Sequence, residues 1–436
     1  MRRSFLILAV VASQLLAASP ARSSGQPGPS PSSAPVSPPT VGPAPTLSSP
    51  DLAASEEAGP DFALGLPIVR TASGSLLWID SRLQIDAAFY RENKNELANG
   101  LLTRRVTFAL KATFFRHWSA ELDVDFAEAK LDLRDVWVMV RLPWVPLAIQ
   151  VGNFKEPFGL DYLTSSRLLT FVERTSIMDA FVLGRRLGGA LRGFAPFGQA
   201  TFGVFGQEAT DRDDRVGLDE RYSVDARISG APLNRQGRVI HLGLAGSYKV
   251  PDAPDQTSLR LKARPETRVD DVTFLDTGTI DNVTSYWRYG AELAALWGPL
   301  HVQGEVVGLV VNRDNDLARS HLWGAYGSVS WAITGESRLY AVEEGEFGGI
   351  ERPHRRVGAF EVAARFSHLL LNDLDADIRG GRADQLTLGL NWYPHDCFKV
   401  MLDYSFVFQD ENADDNGKLV GGDNFSFFQL RLQAHL

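Results

Sequence analysis

Hydrophobic and polar residues alternate with a period of two along most of the chain after Ser81. In the run 105–114, Val106 and Phe108 share one face, while Arg105 and Lys111 share the other. Successive side chains of a β-strand point to opposite faces, so this period predicts strands rather than helices. The predicted strands lie near 82–91, 102–115, 117–128, 131–142, 146–153, 187–194, 199–208, 220–230, 237–249, 285–297, 300–312, 321–334, 357–369, 384–394, 398–409 and 427–436.

These strands favour an all-β fold, a transmembrane antiparallel β-barrel of about sixteen strands. An even number lets the barrel close with both termini on one side, and strands of about ten residues can cross a bilayer. Tryptophans in or beside strands match the aromatic girdles of such barrels: Trp118, Trp137, Trp144, Trp287, Trp297, Trp323, Trp331 and Trp392. A soluble β-sandwich also alternates, so a secreted adhesive sandwich remains an alternative.

The connections between the strands alternate between short and long. Residues 154–186 and 250–284 form long loops on one side, and 143–145 and 298–299 form tight turns on the other. The stretch 335–356 falls on the short-turn side and is longer than a turn, which leaves the strand count open there.

The N-terminal region predicts export from the cytoplasm. Residues 1–21 have two arginines, an apolar run and small residues, as in a secretory signal peptide. Residues 22–60 are rich in Pro, Ser, Ala and Gly and predict a disordered linker, 61–80 form a lead-in, and 81–436 form the barrel domain. With a barrel, this places the protein in the outer membrane of a Gram-negative cell, in contact with its lipid.

Composition excludes several classes of protein. The net charge of −9 offers no basic footprint for nucleic acid. After the signal region, no run approaches the roughly eighteen apolar residues of a membrane helix. Cys397 is the only cysteine, so no intramolecular disulfide can form. The run 395–397 carries His, Asp and Cys, which can bind a metal, but a turn after Pro394 is the plainer interpretation. We predict no metal and no cofactor.

The longest insertion, Val151 to Phe194, is the candidate functional segment. Loops beyond about fifteen residues in an ordered domain are usually functional or disordered, and its Phe, Leu and paired charges argue for order. Inside a barrel such a segment narrows the lumen, and basic side chains at the neck attract anions. The predicted constriction residues are Lys155, Arg167, Glu173, Arg174, Arg185 and Arg186. The alternative role for each is to brace the loop through ion pairs.

The second long loop carries a further candidate. Arg260, Lys262 and Arg264 alternate with apolar residues, so a strand there places three cations on one side. They form a candidate anion-collecting surface, and a solvated strand face is the alternative explanation.

The sequence contains no catalytic signature. Its serines and histidines lie in no G-x-S-x-G or H-E-x-x-H context, so we predict that it is not an enzyme. An outer-membrane barrel hydrolase with a site assembled at the rim remains the alternative, since spacing does not reveal a site built across strands.

Several runs in order resemble the phosphate-selective porin O and P family of Gram-negative outer membranes. They are FKEPFGLDYLTSSRLLTFVERTSIMDAFVLGRRLG at 154–188, LQID at 83–86, ITGESR at 333–338 with Tyr340, GLNWY at 389–393 and QLRLQ at 429–433. The resemblance implies a sixteen-stranded barrel, a homotrimer, loop 3 (residues 154–186) folded into the lumen, and passive diffusion of small anions such as phosphate. Selective family members carry an arginine ladder, and Arg167, Arg174, Arg185 and Arg186 lie in the matching loop. The final Leu436 departs from the Phe that usually ends such barrels.

Overall fold

The computed structural model describes residues 65–71, 74–207, 209, 222–251, 258–350 and 356–436. The predicted signal peptide and linker, 1–21 and 22–60, lie outside these residues. No helix in the described part of the chain is long and apolar enough to span a membrane.

Sixteen antiparallel strands form one closed barrel, as the alternation predicts. They are β2 (Leu76–Arg91), β3 (Gly100–Phe114), β4 (Trp118–Asp125), β5 (Asp132–Arg141), β6 (Leu147–Lys155), β7 (Arg185–Ala195), β8 (Gly198–Phe205), β9 (Ser223–Arg235), β10 (Arg238–Lys249), β13 (Val283–Trp297), β14 (Leu300–Arg313), β15 (Ser320–Ala332), β18 (Ala359–Asp373), β19 (Ile378–His395), β20 (Phe398–Gln409) and β21 (Phe425–His435). Each predicted strand has its counterpart in this set.

The barrel closes between its first and last strands. β21 pairs with β2 from Ser426 opposite Arg91 to His435 opposite Arg82. A short strand, β1 (Leu66–Arg70), pairs with the beginning of β2 and continues the line of β21 past its end. Both β1 and the first residues of β2 lie in the stretch 61–80 that the sequence assigns to a lead-in.

The two faces of the wall are inverted relative to a soluble protein. In β21, Arg431 is 0% exposed while the adjacent Leu432 is 48% exposed. The same contrast follows the alternation around the barrel, with charged and amide side chains inside and aliphatic ones outside. An apolar outer face is stable only against lipid, so this inversion rules out the soluble sandwich.

Most of the predicted girdle tryptophans lie on the outer surface, at 40–78% exposure: Trp118, Trp144, Trp287, Trp297, Trp323, Trp331 and Trp392. The exception is Trp137, whose assignment to a girdle is wrong. It faces inward and packs beside Phe154 and Phe205, because β5 places it in phase with the inward-facing Asp135 and Met139.

One end of the barrel carries short turns and the other carries long connections. The C-terminus and the tight turns at 142–146 and 298–299 lie at the short-turn end. The 395–397 run is likewise a turn there, between β19 and β20. The connection after β10 contains two small strands, β11 (Lys262–Ala263) and β12 (Leu275–Asp276), at the long-loop end.

The unexpectedly long stretch at the short-turn end is a separate hairpin. It consists of β16 (Arg338–Ala341) and β17 (Glu346–Ile350), which pair with each other and not with the wall. The strand count of sixteen is therefore unaffected by it.

Candidate functional site

The connection between β6 and β7 is an ordered segment with two short helices, α1 (Leu160–Leu163) and α2 (Ser176–Phe181). Ile177 and Phe181 of α2 are 0% and 1% exposed, and with Phe158 they join an apolar cluster. The cluster includes side chains of β14, β15 and β18 and of the second long connection. Burial of these side chains fixes one side of the segment against that part of the wall.

A wall carboxylate caps the beginning of α1. The backbone N–H groups of Leu160 and Asp161 each donate to Glu305 at 2.7 Å, and the Tyr326 hydroxyl donates to the same carboxylate at 2.6 Å. The first N–H groups of a helix have no partner within it, so Glu305 supplies acceptors that the short helix lacks.

A buried ion pair anchors the start of the segment. Arg288 of β13 makes a bidentate pair with Glu156, with N–O distances of 2.7 and 2.8 Å, and also contacts Asp225 at 3.1 Å. Arg288 and Glu156 side chains are 1% and 0% exposed. Burial alone would raise the pKa of Glu156, but the charge and hydrogen bonds of Arg288 outweigh it and lower that pKa.

Glu173 is the point where several wall arginines meet. Its carboxylate lies 2.7 Å from Arg104 and 2.6 Å from Arg431, and 4.0 Å from both Arg105 and Arg268. Burial opposes ionisation of Glu173, yet Arg104, Arg431 and Arg105 hold its pKa well below the usual value. The carboxylate is therefore charged at neutral pH and ties β3, β21 and the second long connection to the segment.

The backbone of the segment between residues 166 and 173 is held by inward-facing donors. Side chains of β2, β18, β19, β20 and β21 donate to six of its carbonyl oxygens: Gln84 to Ser166, Gln433 to Arg167, Lys399 to Leu169, Asn391 to Thr170, Arg431 to Val172 and Arg365 to Glu173. A backbone outside helices and strands needs such donors when it is buried.

A cavity of about 1230 Å³ lies beside this segment, along β3 to β8. Its lining contains fourteen Lys and Arg side chains but nine Asp and Glu side chains. The excess of cations contrasts with the whole chain, whose net charge is −9. The protein therefore concentrates positive charge on the wall of its cavity.

Five of the six predicted constriction residues line this cavity: Lys155, Arg167, Glu173, Arg174 and Arg185. Arg186 does not, because its guanidinium turns to the carbonyl oxygens of Gly206 and Leu183 at 3.3 and 3.5 Å.

The same residues also brace the segment. Arg167 pairs with Asp80, Arg185 lies 2.5 Å from Asp135, and the Lys155 ammonium donates to the Leu163 carbonyl at 2.5 Å. Arg174 donates to the carbonyl oxygens of Asp161, at 2.8 Å, and of Thr164. The bracing that the sequence analysis left as the alternative role is therefore observed for these side chains.

The predicted anion-collecting residues form ion pairs within their own loop. Arg260 and Lys262 share Asp276, at 2.5 and 3.3 Å, and Arg264 lies 2.5 Å from Asp271. Leu261 and Ala263 are buried between them, as the alternation predicts. Burial alone would raise the pKa of Asp276, but its hydrogen bonds with Arg260, Gly278 and Lys262 lower it to about 2.

Sequence reasoning missed several cavity cations, among them Arg104, Arg134, Arg192 and Arg268. Arg104 is hidden by a β-bulge: Gln84 pairs with Arg105 and the next residue, Ile85, pairs with Thr103. The bulge turns the adjacent Arg104 and Arg105 to the same side, which strict alternation forbids. Arg134 is hidden in the same way: Leu122 pairs with Val136 but Val124 pairs with Leu133, and the adjacent Arg134 and Asp135 both line the cavity. Arg192 does follow the alternation, so its strand face was a usable signal.

The cavity also contains a group of three carboxylates, Glu121, Asp123 and Asp135, whose oxygens lie within 4.8 Å of one another. Arg185 pairs with Asp135, and Arg134 lies 3.7 Å from Asp123. These cations compensate the cluster, so its geometry assigns no metal.

Solved structures with the same fold are outer-membrane proteins. OmpT of Vibrio cholerae in its trimer form is 8% identical, with a TM-score of 0.53 over 83% of this chain and 99% of that one. An anion-selective porin from Comamonas acidovorans is 13% identical, with a TM-score of 0.52 over 83% of this chain and 100% of that one. OmpF of Salmonella typhi in complex with daunomycin is 12% identical, with a TM-score of 0.51 over 85% of this chain and 100% of that one.

Sequence comparison agrees with the fold. Porin O of Pseudomonas aeruginosa is 24% identical over 404 residues, which cover 85% of this chain and 90% of that protein. The family model for phosphate-selective porin O and P matches residues 78–435, from the start of β2 to the end of β21. The chain therefore belongs to the phosphate-selective porin O and P family, as a β-barrel porin of the outer membrane.

Proposed function

We propose that the protein passes small anions, phosphate among them, by passive diffusion through its lumen. The observation that carries this proposal is the net basic lining of the cavity in an acidic chain. Basic walls of low dielectric raise the local concentration of anions. The relatives support the same direction, since one is Porin O and another is described as anion-selective.

In this proposal the segment between β6 and β7 sets the narrowest point of the lumen. Lys155, Arg174 and Arg185 face the cavity there. Its support is the set of contacts to the inward faces of β2, β18, β19, β20 and β21, on the side of the barrel away from β6. We infer from these contacts that the segment crosses the interior. The cations that brace it are then the ones that a permeating anion meets.

The test is single-channel recording in planar bilayers, with the reversal potential measured in a KCl gradient and phosphate added as a competitor. Arg174→Gln and Arg186→Gln form a matched pair, because both remove an arginine, one in the segment and one in the strand that follows it, and only Arg174 lines the cavity. We expect stepwise anion-selective conductance that phosphate blocks, and a shift towards cations in Arg174→Gln alone. Cation selectivity of the natural protein would contradict the proposal.

We further propose a homotrimer whose subunits meet along β4 to β8. β4 and β8 have eight residues each, whereas β13, β18 and β19 have 15 to 18. A tilted strand needs about 9–11 residues to cross a bilayer. The part of the barrel from β4 to β8, the short wall, is therefore poorly matched to the thickness of the lipid. Its outer face is apolar, with Val151 and Phe202 more than half exposed. Other copies of the chain would cover it.

We also propose that the protein transports without covalent chemistry and reaches the membrane through the signal peptide at 1–21. The rim hydrolase predicted as the alternative needs a His–carboxylate pair beside a nucleophile facing solvent. His368 and Asp384 do lie 2.6 Å apart, but on the outer wall, where the imidazole packs against Trp323 with ring centroids 4.8 Å apart and a tilt of 42°. Ester hydrolysis by the purified protein would contradict this proposal and support the rim hydrolase.

A further inference from the structure

The β16–β17 hairpin enters the barrel from the short-turn end and joins the cavity wall. Glu343 and Glu344 at its tip line the cavity together with Arg141 and Arg192 of the wall. Arg141 holds the Glu343 carboxylate with two bonds, of 3.1 and 2.7 Å. Arg192 lies 2.6 Å from the carboxylate of Glu344. The carboxylates of two consecutive residues, Glu343 and Glu344, are thus each paired with one of two neighbouring guanidinium groups.

The two arginines form one receptor surface. Their guanidinium carbons lie 4.5 and 5.6 Å from the centre of the same Phe194 ring. A guanidinium that is stacked on an aromatic ring and held in a bidentate pair presents its N–H groups in a fixed fork, which suits planar and tetrahedral oxyanions alike. The carboxylates of Glu343 and Glu344 show the kind of group that this surface accepts.

The tip and the body of the hairpin differ in accessibility. At the tip, side-chain exposure is 26% and 32% for Arg141 and Glu343, and 14% and 29% for Arg192 and Glu344. In the body, Arg338 pairs with Glu361 at 2.5 Å with 5% and 1% exposure. Water and solute therefore reach the tip pairs but not the body pair, and partly exposed pairs contribute little to stability.

The body is fixed independently of the tip. Phe347 packs with Leu160 of α1 and with apolar side chains of β9, β10 and β13, and Tyr340 contacts His241 at 2.8 Å. Arg338 also donates to Thr170 of the segment between β6 and β7 at 2.9 Å. Arg227 also holds the backbone of the tip, donating to the carbonyl oxygens of Glu344 and Gly345 at 3.2 and 2.9 Å. Loss of the tip pairs would therefore release the two carboxylates without unfolding the hairpin.

We propose that Arg141 and Arg192 form a second oxyanion site, at the short-turn end of the lumen, and that Glu343 and Glu344 mask it. A permeating oxyanion binds these guanidinium groups by displacing the carboxylates of the hairpin tip. This inference rests on the proposed anion passage and adds a specific site to it. The tethered carboxylates weaken binding by competition, so the site holds an anion briefly and releases it, as conduction requires.

The experiment compares phosphate block of chloride current in the natural protein and in Glu343→Gln/Glu344→Gln, with phosphate added to each side in turn. Glutamine keeps the shape and removes the competing charge. We expect the half-blocking phosphate concentration to fall roughly fivefold, the scale of two partly exposed ion pairs, most strongly from the short-turn side. Adding Arg141→Gln/Arg192→Gln to this variant should abolish the gain.

Asp316→Asn/Asp377→Asn is the charge-matched control, since both residues are exposed in turns with positive φ that asparagine tolerates. It should leave the block unchanged. The single variants Glu343→Gln and Glu344→Gln serve if the double variant does not fold, as judged by heat-modifiable gel mobility. An unchanged half-blocking concentration in conducting variants would overturn this inference alone, whereas absence of conductance in the natural protein would overturn the proposed function.

Discussion

Arg431 on the last strand and Glu173 in the segment between β6 and β7 lie 2.6 Å apart, with side chains 0% and 4% exposed. Arg431 also makes a bidentate pair with Asp86 of β2, at 2.7 and 2.6 Å. One guanidinium thus joins the strands that close the barrel to the segment between β6 and β7. Closure of the wall and placement of the segment are therefore linked through a single side chain.

Glu173→Gln should raise anion preference and open-channel noise while the barrel still folds. The change removes the carboxylate shared by Arg104 and Arg431, so the cavity gains net positive charge and the segment loses its tie. We expect a loss of about 3 kcal/mol in the free energy of unfolding, as for other broken buried pairs. Reversal potentials and guanidinium unfolding in detergent measure the two effects. Unchanged selectivity would show that Glu173 does not face the ion path.

Arg288→Met should be among the most destabilising single changes, by about 3–5 kcal/mol, because it leaves Glu156 and Asp225 buried without their cation. Glu156→Gln in the same chain should recover part of this loss, since the uncompensated charge disappears. A double-mutant cycle on unfolding free energies measures the coupling. Additive effects of the two changes would contradict the direct pairing of these residues.

The second long connection, between β10 and β13, should keep its folded conformation in acid down to an unusually low pH. The pKa of Asp276 is lowered to about 2, so its pairs with Arg260 and Lys262 stabilise the loop above its unfolded pKa, about 4, and are lost as pH falls towards 2. Pepsin should cleave the loop near pH 2 but not near pH 4.

Asp276→Asn should make the same loop sensitive to pepsin already near pH 4. Asp271→Asn is the matched control, because it removes a carboxylate that is 88% exposed from the same loop. Resistance of Asp276→Asn at pH 4 would mean that the apolar contacts of Leu261 and Ala263 hold the loop without the ion pairs.

Leu191→Asn on β7 should weaken the proposed trimer. Leu191 is 44% exposed on the short wall, where a polar side chain would face another subunit. Leu388→Asn on β19 is the control, since it is 48% exposed on an 18-residue strand that is long enough to face lipid. Unheated gels should show a monomer for the first variant and a trimer for the second. Monomers in both, or in neither, would place the interface elsewhere.

The sequence by itself determined the strands of the barrel and their two faces, whereas the observed apolar outer face was needed to exclude a soluble sandwich. Alternation over roughly ten residues specifies which face of each strand meets lipid, and a one-residue shift would put charges such as Arg431 into the membrane. For the same reason the sixteen strands and the inward polar face were predictable, while the insertion at Val151–Phe194 was a candidate because of its length. The inward cations Arg141 and Arg227 were predictable from the same alternation.

The tertiary structure alone decided which charges share the cavity. Arg104 reaches Glu173 only because a bulge in β3 breaks the alternation, and Glu343 meets Arg141 only because a hairpin 202 residues further along the chain folds back into the lumen. Local periodicity carries no information on such long-range pairs, since each depends on where separate strands meet after closure. The sequence therefore determines the strands of the wall, and the contacts inside the wall determine which charges line the cavity.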